Sequence, residues 1–208
     1  MPVELADLVS SWRTAVVTSE IQNGVIGGEA ALPALAEAAR QAMVPNLARL
    51  VKAARAASVE VVHATYARRP DGKGSNHNAR LFAGVDKSPV KLLPGSEAAR
   101  VVPDIGVSPT DIVLTRTHGL NPMSGTDLDA VLRNLGVSTI VVTGVSVNVA
   151  VTNLVMEAVN LGYDVVLPRD AVCGVPADYA DAVIENTLRL LATVTTVDEL
   201  VGVWEADG

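Results

Sequence analysis

The chain has 208 residues, of which 49% are hydrophobic and only 3% aromatic, and its formal net charge is -7. This length predicts a single domain over residues 1–208 and is too short for two comfortable ones. The acidic balance, with no dense Lys/Arg cluster, argues against a nucleic-acid partner.

The N-terminal residues and the cysteine content place the chain in a broad class. The first twelve residues, MPVELADLVSSW, lack a basic-then-apolar signal pattern, and no apolar run is long enough to span a membrane. The single cysteine, Cys173, forms neither an internal disulfide nor a cysteine-based zinc site, and we interpret it as a small packing residue. We therefore expect a cytoplasmic protein with no membrane partner.

Strand-like runs alternate with helix-like runs along the chain. The predicted strands are Thr14–Ser19, Val59–His63, Asp111–Thr115, Thr139–Thr143, Asp164–Leu167 and Val194–Val197. The predicted helices are Leu32–Ala57 with an interruption near Pro45, Leu128–Leu135, Asn148–Leu161 and Asp178–Leu191. Strands that are apolar on both faces and alternate with helices predict an α/β fold. We expect a three-layer α/β/α sandwich with a six-stranded, mostly parallel, Rossmann-like sheet.

The segment from Tyr66 to Arg100 does not follow this alternation. It is polar, rich in Gly and Pro, and shows little periodicity. A loop of this length is either a lid over a site or an interface, and the sequence leaves both open.

Ligands of parallel sheets bind beyond the carboxyl ends of the strands, so the residues there are the candidates for chemistry. Glu20 follows the first strand, either as a catalytic acid or base or as a carboxylate capping backbone amides. His63 ends the second strand, and we favour a hydrogen-bonded structural histidine over a ligand. No second ligand lies at metal-binding spacing, so neither a metal nor any other cofactor is expected.

The third and fourth strands run into two further candidate segments. After the third, Arg116 and His118 share one face of the extended chain and Thr117 lies on the other; a surface ion pair is the alternative role for Arg116. After the fourth, Gly144 to Ala150 forms a turn and a helix start, where free N–H groups suit an anion and a helix N-terminus would activate a thiol. Alanine at position 150 provides no nucleophile, and helix capping is the simpler role for Ser146.

Four stretches together resemble the isochorismatase-like cysteine hydrolases, which include nicotinamidases, carbamoylsarcosine-type amidases and isochorismatases. They are E-I-Q-N at 20–23, G-T-D-L at 125–128, G-V-S-V-N-V-A-V at 144–151 and L-G-Y-D-V-V-L-P-R-D-A at 161–171. The resemblance implies an Asp-Lys-Cys triad, whose positions fall on Glu20, Thr117 and Ala150. A slipped register would place the lysine position on Arg116. The resemblance also implies a cis peptide between Val145 and Ser146, and a homo-oligomer, a dimer or tetramer.

Two functions remain open at this point. The first is a thiol-independent hydrolase of a small molecule with Glu20 as general acid or base, by analogy with the isochorismatases that cleave a vinyl ether without a thiol. The second is a catalytically silent small-molecule-binding or structural homologue. Nucleotide binding is poorly supported, because no phosphate-binding glycine motif is present. The residues expected to bind the ligand are Gln22, Asn23, Arg116, His118, Asn121, Ser146 and Asn148.

Overall fold

The computed structural model describes residues 4–206 and shows one parallel sheet covered by helices on both faces. Its strands are β1 Thr14–Ser19, β2 Glu60–Tyr66, β3 Ile112–Arg116, β4 Thr139–Val145, β5 Asp164–Pro168, β6 Val172–Cys173 and β7 Thr193–Thr195. Their order is β3-β2-β1-β4-β5-β7, with β6 paired to the end of β4. Every strand pair runs parallel, which confirms the α/β prediction.

The sheet differs from the prediction in having seven strands rather than six. The additional strand, β6, has only two residues and pairs with Gly144 and Val145 of β4. So short a strand leaves no periodic pattern in a sequence. Its consequence is local, because it extends the sheet where β4 ends.

The helices cover both faces of the sheet. They are α1 Leu5–Leu8, α2 Asn23–Ile26, α3 Pro33–Ala38, α4 Val44–Ala56, α5 Arg80–Lys87, α6 Leu128–Asn134, α7 Thr152–Asn160, α8 Ala177–Asn186 and α9 Val197–Ala206. An interruption of the helix was expected near Pro45. The chain instead stays helical there, since α3 continues through a π-helical turn at Ala39–Met43 into α4. Proline is tolerated because it lies in the first turn after that wide turn, where a missing N–H costs least.

Two apolar clusters form the core, one on each face of the sheet. The first packs α3, α4 and α9 against the strands and includes Leu47, Leu50 and Trp204; the second packs α6, α7 and α8 and includes Leu154 and Ile184. The indole nitrogen of Trp204 donates to a backbone carbonyl near the start of the chain at 2.9 Å. With so few aromatic residues, small aliphatic side chains fill the interior.

His63 belongs to a buried hydrogen-bond network and not to the cleft described below. Its ring nitrogens contact the Thr18 hydroxyl at 2.8 Å and the Asp111 carboxylate at 3.1 Å, and Arg55 pairs with the same carboxylate at 2.5 Å. Burial lowers the pKa of His63 despite the opposing effect of Asp111. His63 is therefore a structural residue, as we favoured from the sequence.

The polar segment from Tyr66 to Arg100 contains α5, which the sequence did not predict. None of the residues of α5 is buried, although one side of the helix is apolar. The Lys91 ammonium donates to the carbonyls of Val85 and Asp86 at the end of α5, at 3.2 and 2.7 Å. No helix within residues 4–206 combines the length and hydropathy needed to cross a bilayer.

Candidate active site

A cleft of about 510 Å³ opens at the carboxyl edge of the sheet, a size typical of small-molecule sites. Residues at the ends of four neighbouring strands form its floor. The floor residues are Glu20 after β1, Tyr66 at the end of β2, Arg116 at the end of β3, and Ser146 and Ala150 after β4. The strand-end rule for parallel sheets therefore locates the site.

The backbone at Glu20 turns sharply where β1 ends. Its φ is 54°, in the left-handed region that residues other than glycine seldom occupy, and its N–H donates to the Ala64 carbonyl at 3.0 Å. The neighbouring Ser19 hydroxyl donates to the Val145 carbonyl at 3.0 Å, which joins the ends of β1 and β4. Such conformations cluster at functional sites, where the surroundings hold them in place.

The Glu20 carboxylate forms a salt bridge with the guanidinium Nη2 of Arg116. Strand β2 lies between β1 and β3, so the two side chains bridge about 10 Å of sheet, twice the strand spacing. The Tyr66 ring lies beneath the contact, with its centroid 5.3 Å from the Arg116 guanidinium carbon. Burial raises the pKa of Tyr66, so its phenol stays protonated and uncharged beside Arg116.

The Arg116 guanidinium has more donors than Glu20 can satisfy. Its side chain is only 4% exposed, and its Nε and Nη1 atoms have no hydrogen-bond partner among residues 4–206. A buried donor without an acceptor costs about 1–3 kcal/mol. An oxygen atom of a ligand in the cleft would supply the missing acceptor.

The turn after β4 lies on the other side of the floor. The peptide bond between Val145 and Ser146 is cis, as the family resemblance implied, and a π-helical turn at Val147–Val151 follows it. Ala150 is 4% exposed and contributes a methyl group to the cleft. Free N–H groups were expected in this turn. The Val149 N–H instead donates to the Ser146 carbonyl at 3.1 Å, so it is not available to a substrate oxygen.

Gln22 and Asn23, expected at the ligand, lie outside the cleft lining and hold the chain together instead. The Gln22 amide donates to the carbonyls of Tyr66 and Ala99 at 2.8 and 2.7 Å and accepts from the Tyr66 N–H at 2.8 Å. The Asn23 amide donates to the carbonyl and carboxylate of Glu97, at 3.1 Å each. These hydrogen bonds tie both side chains to residues that lie far away in the sequence.

Four more expected ligand or triad positions do not line the cleft. Thr117 is exposed, and the alternation along β3 sends Arg116 to Glu20 instead. His118 packs near the Gly125 backbone. The Asn121 side chain donates to Asn153 at 3.2 Å and accepts from the Met123 N–H at 2.8 Å. The Asn148 amide donates to the Val175 carbonyl at 2.8 Å.

The sequence did not indicate the hydrocarbon walls of the cleft. Leu32, Leu35 and Val25 of α2 line the cleft, and Phe82 and Val85 of α5 also contribute apolar wall. Apolar residues carry no chemical motif, so only the amphipathic pattern of residues 80–87 could have signalled this wall. The cleft is open, and Met123 is packed in the core rather than plugging it.

Other candidate features of the described chain lie elsewhere. A second cavity of about 570 Å³ between α4 and α9 lies at the amino end of the strands, near Ser11 and Ser58. Within residues 4–206, no three His, Cys, Asp or Glu side chains gather into a potential metal site. Cys173 is half-buried against the core, and burial raises the pKa of its thiol.

Comparisons with known proteins agree with this architecture. A family model described as the isochorismatase domain matches residues 14–199. Ureidoacrylate amidohydrolase RutB of Agrobacterium fabrum is 28% identical over 205 residues, 92% of this chain and 90% of that protein. A cysteine hydrolase from Pseudomonas syringae pv. phaseolicola superposes with a TM-score of 0.83 at 24% identity, over 97% of this chain and 96% of that one.

An isochorismatase family protein from Burkholderia thailandensis is also similar in structure. It has a TM-score of 0.76 at 27% identity and covers 93% of this chain and 96% of its own. The family model, at residues 14–199, spans nearly the whole described chain. This chain belongs to the isochorismatase family.

Proposed function

We propose that the protein hydrolyses a small molecule without a thiol, with Glu20 as general base and Arg116 in the role of the family lysine. The observation that carries the proposal is the Glu20–Arg116 ion pair on the floor of an open cleft. A carboxylate activates water by taking its proton, and a positioned base contributes about 10²–10⁴-fold to a rate. Arginine supplies positive charge where a lysine would otherwise lie.

The proposed reaction needs only water and an acyl compound. Glu20 removes a proton from a water molecule, whose oxygen attacks the carbonyl carbon of the substrate. Negative charge develops on the carbonyl oxygen, and the Arg116 guanidinium donates to it. The bond to the leaving group then breaks, the proton passes from Glu20 to that group, and a carboxylic acid and an amine or alcohol result.

Two considerations support hydrolysis of a carbonyl compound over hydrolysis of a vinyl ether. The ion pair with Arg116 uses Glu20 as a carboxylate, the form that accepts a proton, whereas cleavage of a vinyl ether needs the acid form. The similar protein from Agrobacterium fabrum is named as an amidohydrolase. Ala150 has no nucleophilic atom, so no covalent intermediate forms at that position.

The test compares Glu20→Gln, Glu20→Asp and the wild type against small amides and vinyl ethers. We expect Glu20→Gln to lower kcat for amides by at least about 100-fold, because glutamine accepts no proton. Glu20→Asp should keep part of the activity. The control Glu29→Gln, at an exposed carboxylate outside the cleft lining, should match the wild type. Equal turnover by wild type and Glu20→Gln rejects the proposal.

A silent binding protein is the second candidate, favoured by Ala150 and by the occupied amide of Val149. In that case, ligands raise the melting temperature and are not consumed. Hydrolysis that disappears only when Glu20 is changed excludes this candidate. Thermal stabilisation by amides without any amine release, in freshly purified protein, supports it over the enzyme.

A further inference from the structure

The walls of the cleft predict what kind of molecule it holds. Beyond the polar floor, the lining is largely apolar and includes Val25, Leu32 and Leu35 together with Leu81, Phe82 and Val85 of α5. Leu81 is 40% exposed, so the wall presents apolar surface that nothing within the described chain covers. Hydrocarbon surface of this kind gains free energy when an apolar group displaces water from it.

The floor predicts the polar group of the ligand. Arg116 offers donors without acceptors, but its charge is already balanced by Glu20. A ligand carboxylate at this point would lie beside the Glu20 carboxylate and be repelled by it. A neutral carbonyl oxygen accepts from the guanidinium without that repulsion. Arg80 lies at the exposed mouth, where solvent and salt screen its charge.

We propose that the cleft binds neutral carbonyl compounds with a hydrocarbon body, such as aryl or branched alkyl amides and esters. The carbonyl oxygen accepts from Arg116, and the body lies against the apolar lining that includes Leu35 and Phe82. The inference rests on the proposed function for the location of the site, but it concerns binding and not turnover.

The first experiment measures the separate contributions of the hydrocarbon body and the polar group to affinity, with four probes in titration calorimetry. The probes are 3-phenylpropionamide, 3-phenylpropionate, propionamide and propionate. We expect the phenyl amide to bind at least about tenfold more tightly than propionamide, since a ring is buried. It should also bind more tightly than the phenyl carboxylate. Equal affinity with and without the ring, tighter binding of the carboxylates, or no binding by any probe overturns the inference.

The second experiment tests the wall directly. Phe82→Ser removes a half-buried ring from α5, which has no buried residues, so folding is not at risk. We expect about fivefold or greater loss of affinity for the phenyl amide and no change for propionamide. The matched control Leu190→Ser removes an apolar side chain that is 81% exposed and outside the cleft lining, and should change neither. A loss of equal size in both variants contradicts the assignment.

Ammonia release measured on the same amides separates this inference from the proposed function. Tight binding of the phenyl amide without hydrolysis leaves the ligand class in place and rejects the hydrolase. Hydrolysis with no preference for the ring supports the hydrolase and rejects the ligand class.

Discussion

Replacing each member of the Glu20–Arg116 pair with methionine should destabilise the protein unequally. Glu20→Met leaves the Arg116 guanidinium, 4% exposed, as an unpaired buried charge. Breaking a buried ion pair in this way costs about 3–5 kcal/mol. Arg116→Met leaves the Glu20 side chain, which is 22% exposed and hydrated from the cleft, so its cost should be smaller, about 1–2 kcal/mol.

The unpartnered Nε and Nη1 atoms of Arg116 increase this asymmetry. Arg116→Met removes two buried donors without acceptors, and that relief offsets part of the lost attraction. The double variant should recover to within about 1 kcal/mol of the wild type or exceed it, because two apolar side chains replace an incompletely satisfied pair. The cycle should therefore show a coupling energy of about 3 kcal/mol or more.

The assay is urea unfolding of the wild type, both single variants and the double variant, followed by fluorescence and circular dichroism. A single domain of this kind is suited to two-state treatment when both probes give one transition. If Glu20→Met is no more destabilising than Arg116→Met, the residual exposure of the two side chains does not govern the energy of the pair. Additive single effects would show that the contact contributes little.

Three further predictions concern other parts of the fold. Burial lowers the pKa of His63 below 6.5, so its stabilising contribution is present above pH 6.5 and is lost as the pH falls towards the lowered folded value. The free energy of unfolding, measured in urea at pH 7.5 and at pH 5.5, should therefore fall by up to about 1 kcal/mol more in the wild type than in His63→Gln. Equal falls in the two proteins contradict this. Ala150→Cys should place a thiol in the cleft that iodoacetamide alkylates faster at pH 7 than Cys173, whose pKa burial raises; mass mapping that finds Cys173 modified first contradicts this. Gly144→Ala should cost more than about 4 kcal/mol or prevent folding, because φ is 95° and an added Cβ would lie 2.2 Å from the Ser19 carbonyl oxygen; a soluble variant with an unchanged melting temperature would refute it.

Local sequence patterns were sufficient for most of the sheet. Runs such as Thr14–Ser19 and Thr139–Thr143 are rich in β-branched residues, and they form β1 and most of β4, the central strands. The helix over residues 80–87 was missed because it buries nothing and lies in a polar context, so its weak pattern had no support from neighbouring elements. Pro45 was misinterpreted because a π-helical turn cannot be recognised from local propensity.

The candidate site was predictable where residues directly follow strands. Glu20, Arg116, Ser146 and Ala150 all lie in the cleft for this reason. The side chains of Gln22, Asn23 and Asn148 lie outside the cleft lining and donate to backbone carbonyls tens of residues away in the sequence, which local patterns cannot show. The pairing of β2 with β3 places Arg116 opposite Tyr66 at the cleft, one residue before the exposed Thr117, and the sequence alone does not show this register.

The three hydrogen bonds of Gln22 to the backbone of Tyr66 and Ala99 have a consequence for motif searches. The second half of the E-I-Q-N motif ties a loop to the end of β2, a task that is needed whether or not the protein catalyses a reaction. A chain with alanine at position 150 therefore needs this glutamine in order to fold as much as a chain with a nucleophile there. A pattern search that depends on this glutamine therefore identifies the fold and not the activity, so active and inactive members would score alike.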